Sequence, residues 1–283
     1  MTSRKCVATF LLSSFLLAAP VIGKRQAPGK PPTKSAPTQK TPQKQTVAGT
    51  VIFAVNKISD GVTLDPIVIF NKGQYVDPLP DDDAFVKQVA AKYLRTEQNH
   101  RVIFGGAEAG TVIVKDRHEF GLTTGGTLQS SIKLSEEVMA LATTSSTLGA
   151  KQNTRRAPTS EERAAMLKLM SAAYTQRRVP APAIAKVQVN NITALDLDAD
   201  GKAELSGSFF IRDQTQNTQS LFLIAEIENG QYRSGLTWYK KGDEGAYEIR
   251  RLIDILDLDG DGIAEVFAIN SYKKPRTSRF TKR

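Results

Sequence analysis

Two matching aspartate-rich segments constrain the fold of this chain more than any other feature of its sequence. The first reads DLDADGKAE over residues 196–204, and the second reads DLDGDGIAE over residues 257–265, starting 61 residues later in a chain of 283. Four carboxylates within nine residues repel one another unless a cation lies among them. Calcium is a hard cation that prefers about six to eight oxygen ligands, and a glycine at position 6 permits the sharp turn. Two full copies therefore favour two calcium loops over an acidic turn without metal.

The residues around both segments alternate between apolar and polar, which is typical of strands. Ile192 and Ala194 precede the first segment, and Leu205 opens the alternation after it. An EF-hand would need a helix on each side and a glutamate at position 12 of the loop. Position 12 is Gly207 in one copy and Ala268 in the other, so the pattern disfavours an EF-hand and predicts loops between strands.

Loops of the form D-x-D-x-D-G-x-x-[DE] between strands resemble the FG-GAP and VCBS repeats, the calcium-binding hairpins of integrin-α-type β-propellers and of many secreted bacterial proteins. The resemblance covers residues 187–272 and implies about two structural calcium ions. Carried over position by position, it implies side-chain ligands at positions 1, 3, 5 and 9 and a backbone carbonyl at position 7. In this sequence those residues are Asp196, Asp198, Asp200, Lys202 and Glu204, followed by Asp257, Asp259, Asp261, Ile263 and Glu265.

Two departures separate the chain from a complete propeller. The Phe-Gly and Gly-Ala-Pro signatures do not flank these loops, and a closed propeller needs about four blades or more, whereas two repeats are present. We therefore predict an α+β fold over a propeller. Its C-terminal half is an antiparallel β-meander carrying the two Asp-rich calcium hairpin loops, and a mixed α+β segment with two amphipathic helices precedes it.

The two helices have clear start and stop signals. The first opens at Pro80 and Asp81 and repeats apolar residues on one face, and the second has a capping box at Thr159 and Glu162 and ends before Pro180. We expect strands at residues 51–55, 67–70, 102–104, 111–115, 128–134 and 138–144 in the first half, and at 204–212, 220–227, 232–239, 247–256 and 265–272 in the second.

The ends of the chain carry targeting and tether signals. Arg4 and Lys5 precede an apolar run at residues 7–19, which is the layout of a secretory signal peptide cut after Gly23. Residues 24–47 hold five prolines, six basic residues and no acid, which predicts a disordered tether. The body then divides at the Pro-Ala-Pro segment into residues 48–182 and 183–272, and 273–283 form a basic tail. Because no strand follows the last one, its outer edge should be exposed.

Charge and cysteine content exclude two classes of function. Residues 48–270 hold 24 basic and 29 acidic residues, so the high pI of about 9.5 comes from the two ends. A nucleic-acid-binding protein would instead carry its basic residues on a folded face. Cys6, the single cysteine, lies in the predicted signal peptide, so the mature chain has no disulfide and no thiol chemistry.

Catalytic motifs are missing from the sequence. There is no G-x-S-x-G and no H-E-x-x-H, and His100 and His118, the two histidines, both lie in polar stretches where we expect them to be solvated. The pattern favours a secreted or periplasmic, non-enzymatic calcium-binding module of the cell envelope, without nucleic acid and without a transmembrane segment after signal cleavage. Its partner would be an anionic envelope polymer, a carbohydrate or another protein. The alternative is an exported hydrolase of a polysaccharide or phosphoester, with structural calcium.

Overall fold

A computed structural model describes residues 9–10, 48–58, 61–78, 82–120, 123–135, 138–149, 152–212, 218–242 and 247–273. These residues form three sheets, which are mostly antiparallel, and three helices. The strands are β1 (Thr9–Phe10), β2 (Thr50–Ile58), β3 (Gly61–Asn71), β4 (Gln74–Val76), β5 (Asn99–Phe104), β6 (Ala107–Phe120), β7 (Thr123–Ser130), β8 (Ala140–Thr143), β9 (Gln188–Leu195), β10 (Glu204–Arg212), β11 (Thr218–Glu228), β12 (Gln231–Lys241), β13 (Tyr247–Leu256) and β14 (Glu265–Lys273). The helices are α1 (Asp83–Tyr93), α2 (Ser160–Gln176) and α3 (Ala181–Ile184).

The largest sheet has seven strands in the order β4-β3-β2-β8-β5-β6-β7, and it bends so that β7 lies against β3. The β2 strand buries both of its faces: Val51 and Phe53 pack in the core that includes α1, and Ile52 and Ala54 pack in the core on the opposite face. This double burial explains why β2 reads as a continuous apolar run in the sequence.

The second sheet is a four-stranded meander, β9 to β12 in order, as predicted for this half. Asn229 and Gly230 form its last turn, both with positive φ, as a two-residue hairpin requires. Met166 and Tyr174 of α2 pack against Phe209 of this sheet. The second helix therefore packs on the C-terminal sheet, although it precedes the Pro-Ala-Pro segment in the chain.

The third sheet lies between the other two. Its β13–β14 hairpin packs Phe267 against the seven-stranded sheet and Val266 against the meander. The predicted single meander is thus wrong beyond β12, because β13 pairs with β14 and leaves β12. Burying apolar side chains on both faces of the hairpin, at about 1.5–3 kcal/mol each, favours this central position.

The outer edge of β14 is covered at two residues. Thr9 and Phe10 of β1 pair in parallel with Val266 and Phe267, so the prediction of an open edge is wrong there. An edge strand presents unpaired backbone groups that any extended segment can take up. The rest of the predicted signal peptide, the tether at 24–47 and the tail from 274 onward lie outside the described residues.

The second helix begins as the sequence predicts, whereas the first begins at Asp83, after the predicted start at Pro80 and Asp81, which lie outside the described residues. The Asp82 carboxylate accepts hydrogen bonds from two backbone amides in the first turn of α1, and Thr159 and Glu162 form the capping box of α2. Of the helices in the described ranges, none combines the length and the apolar character needed to span a membrane.

Two candidate metal-binding loops

The two aspartate-rich segments form equivalent connections in two different sheets. Loop 1, residues 196–204, joins β9 to β10, and loop 2, residues 257–265, joins β13 to β14. Positions 4 and 6 of both loops have positive φ: 56° at Ala199 and 80° at Gly201, and 79° at Gly260 and 87° at Gly262. The two loops thus share one backbone course, as their matched sequences predict.

Three hydrogen bonds recur in both loops. The first aspartate accepts from the glycine amide at position 6, at 3.0 Å in each case, and the third aspartate accepts from the amide at position 7, at 2.8 Å in each case. The amides of Leu197 and Leu258 at position 2 donate to Oε2 of Glu204 and Glu265, at 2.8 and 2.9 Å. These backbone donors hold the carboxylates in place around the turn.

Each loop gathers three carboxylates that can hold a metal ion. In loop 1 they are Asp196, Asp198 and Glu204, and in loop 2 they are Asp257, Asp259 and Asp261, each set offering oxygens within 4.8 Å of one another. Two such charges repel by about 1 kcal/mol even in bulk water. An all-oxygen, strongly negative donor set fits a hard divalent cation. Of the four predicted side-chain ligands per loop, the structure brings together three.

The missing fourth carboxylate differs between the loops. In loop 1 it is Asp200, whose Oδ2 lies 3.1 Å from Nζ of Lys202, the residue predicted to bind metal through its carbonyl. In loop 2, the position of Lys202 is occupied by Ile263, which has no charge. Asp261, which corresponds to Asp200, is part of the loop 2 cluster. The ion pair in loop 1 is exposed, and such pairs contribute about 0–1 kcal/mol.

In loop 2 the carboxylate outside the cluster is Glu265. Its Oε1 accepts a 2.8 Å hydrogen bond from the hydroxyl of Tyr75 in β4, a residue 190 positions earlier in the chain. Burial raises the pKa of Tyr75, and the nearby Glu265 carboxylate raises it further. The Tyr75 hydroxyl therefore stays protonated and donates the hydrogen bond. Tyr75 was not among the predicted site residues, because no local pattern indicates that the first sheet reaches loop 2.

Burial also affects the two glutamates themselves. Glu204 and Glu265 are 6% and 7% exposed, and desolvation raises the pKa of both carboxyls. A positive charge beside either group would offset that desolvation. A bound cation would therefore favour the ionised form of both glutamates.

Both loops face one cleft of about 470 Å³. Asp196 of loop 1 and Asp257 and Asp259 of loop 2 supply its acidic side chains, and the Gly105-Gly106 turn between β5 and β6 lies on its wall. The amide of Ala264 donates to the carbonyl of Leu197 at 2.7 Å, which fixes the two loops side by side.

A buried ion pair contacts the lining of the cleft and was also not predicted from the sequence. Asp254 of β13 is fully buried, lies 3.4 Å from the Arg155 guanidinium and accepts a 2.8 Å hydrogen bond from the Gly105 amide. Arg155 also donates to the Ile253 carbonyl at 2.7 Å. Desolvation, which outweighs the pull of Arg155, raises the pKa of Asp254 to about 7. The sequence signal that could have indicated this pair is an acidic residue, Asp254, between Ile253 and Ile255 in an apolar strand.

His100 is buried, and its interpretation as a solvated residue is wrong. It is 1% exposed and packs edge-to-face on Phe53 at 4.8 Å between ring centroids. Desolvation lowers the pKa of His100 to about 4, so the neutral ring behaves as a core aromatic. The His118 side chain lies outside the described residues.

Comparison with known proteins gives no relative: no family model, no curated protein and no solved structure matches the chain.

Proposed function

We propose that this chain is an exported, calcium-binding, non-enzymatic module of the cell envelope, in which the two loops stabilise the packing of the sheets around one cleft. The observation that carries the proposal is the repetition of one hydrogen-bonded turn, with three clustered carboxylates, on two neighbouring hairpins. A single acidic turn is common without a metal, whereas a repeated one that concentrates charge indicates a shared ligand. Calcium supplies the positive charge that each cluster lacks and accepts its oxygen donors.

The composition of the cleft favours a binding module over the alternative hydrolase. Of the described residues that line the cleft, the acidic ones, Asp196, Asp257 and Asp259, all belong to the two loops, and the others are glycine, threonine, alanine, leucine and isoleucine. Hydrolysis by paired carboxylates needs an acid and a base at a set separation and available for proton transfer. Carboxylates committed to a cation do not serve that role. The ligand of the cleft would belong to an envelope polymer, a carbohydrate or another protein.

Calcium titration tests the metal assignment. We expect calorimetry to show about two bound ions, and saturation at 100 times the Kd to stabilise the fold by about 2.7 kcal/mol per site. Asp196→Asn and Asp257→Asn should each remove one site, and the double variant should remove both. A wild-type protein without calcium heat, and with the same melting temperature in EDTA, would overturn the proposal.

Protein sequencing tests the export assignment. We expect the mature protein from its native host to begin at or near Lys24, because Arg4 and Lys5 precede an apolar run of signal-peptide length. Cleavage there would also remove β1, and with it the two register pairs that cover β14. Recovery of an intact N-terminus from the native host would contradict export.

A further inference from the structure

Loop 1 serves as an internal reference for loop 2. Both position-9 glutamates are buried and both accept the position-2 leucine amide on Oε2. Glu204 is nevertheless part of its carboxylate cluster, and Glu265 is not. The contact that distinguishes them is the Tyr75 hydroxyl on Oε1 of Glu265.

From this contrast, and resting on the calcium binding proposed above, we infer that Tyr75 is a latch that holds Glu265 out of the loop 2 cation site. Calcium at loop 2 then competes with the Tyr75 hydroxyl for the same oxygen. Binding of the ion breaks the hydrogen bond, and β4 loses this polar contact with β14. Tyr75 thereby lowers the calcium affinity of loop 2 relative to loop 1 and makes its occupancy a conformational signal.

β4, the strand that carries Tyr75, is short enough to change conformation when this hydrogen bond breaks. β4 is a three-residue edge strand, and among the strands that the structure describes it pairs only with β3, through Ile69, Phe70 and Asn71. The Tyr75 ring also lies 5.1 Å from the Phe70 ring, measured between centroids. Short edge strands are at the low end of local stability, so losing the Tyr75–Glu265 hydrogen bond should loosen β4.

The decisive variant is Tyr75→Phe, which removes the hydroxyl and keeps the ring on Phe70. With loop 1 disabled by Asp196→Asn, calorimetry then reports loop 2 alone. We expect Tyr75→Phe to tighten calcium binding at loop 2 by about tenfold, the factor given by one hydrogen bond to a charged group. Tyr239→Phe is the matched control, because it removes a 2.9 Å hydrogen bond from a tyrosine hydroxyl to Gln219 within the four-stranded sheet. It should leave the calcium affinity of loop 2 unchanged.

Two further measurements separate a latch from a structural role. Amide exchange at Tyr75 and Val76 should speed up on calcium addition to the wild type and should be calcium-independent in Tyr75→Phe. In a Glu265→Gln background, where the competing carboxylate is gone, Tyr75→Phe should no longer change calcium affinity.

Each outcome has one interpretation. If the Asp196→Asn protein binds one calcium ion and Tyr75→Phe leaves its affinity unchanged or weakens it, the latch is wrong while the calcium assignment stands. If neither loop binds calcium in the wild type, the proposed function fails and the latch fails with it.

Discussion

Loop 1 and loop 2 have the same sequence pattern and the same turn, yet they are anchored to different parts of the molecule. One anchor of loop 1 lies in its own sheet, where Tyr232 of β12 donates to the Ala203 carbonyl at 2.8 Å. Loop 2 is held from the seven-stranded sheet by Tyr75, and the strand before it by Gly105 through Asp254. A repeated local motif can therefore receive a tyrosine hydrogen bond from its own sheet in the first copy and from a different sheet in the second.

The largest effect should come from the ion pair beneath loop 2. Asp254→Ala leaves the Arg155 guanidinium buried without its carboxylate, which costs about 3–5 kcal/mol in comparable pairs. We expect urea denaturation in EDTA to show this loss of unfolding free energy. In separate calcium titrations without EDTA, the affinity should fall more at loop 2 than at loop 1. Asp254→Asn is the control, because its amide oxygen still accepts the Gly105 hydrogen bond, and it should lose less. If Asp254→Ala lowered the unfolding free energy by less than about 1 kcal/mol, the Asp254–Arg155 pair would not stabilise the packing of residues 48–182 on residues 183–272.

A change of pH should alter the unfolding free energy less than Asp254→Ala does, because titration changes only the charge of Asp254 and leaves its side chain in place. Its folded pKa of about 7 lies above the unfolded value, so its contribution to stability is fully present below the unfolded pKa and is lost as pH rises through 7. In EDTA, the unfolding free energy of the wild type relative to Asp254→Asn should therefore fall between pH 5 and pH 8. The difference cancels the contributions of Glu204, Glu265 and His100. A flat difference would show that the carboxyl is ionised throughout.

The smallest effect should be a pair of opposite changes at position 4 of the loops. Ala199 adopts positive φ at a cost of about 1–2 kcal/mol for a residue with a Cβ, whereas Gly260 does so freely, and a Cβ there would meet nothing within 4 Å. Ala199→Gly should raise the melting temperature and Gly260→Ala should lower it, with each substitution changing the unfolding free energy by about 1 kcal/mol. Changes of the same sign in thermal denaturation with EDTA would mean that the loops do not share one backbone course.

Local signals in the sequence predicted much of the fold. The capping box at Thr159, the apolar face of the first helix and the Asn229-Gly230 turn each act over a few residues, and the structure bears out all three, although that helix begins at Asp83 and not at Pro80 and Asp81. Wherever contacts are distant in sequence, the predictions were incomplete or wrong. The meander did not continue past β12, and His100 is buried although its neighbours in the chain are polar.

The sequence by itself determined that two acidic turns exist and that each is flanked by strands, because aspartate spacing, glycine at position 6 and apolar alternation are local properties. Only the tertiary structure decided which carboxylates come together. Lys202 holds Asp200 from within its own loop, whereas Tyr75 reaches Glu265 from 190 residues away. The physical reason is that a carboxylate pairs with whichever donor packing brings to it, and packing of the β13–β14 hairpin between two sheets is a property of the whole chain.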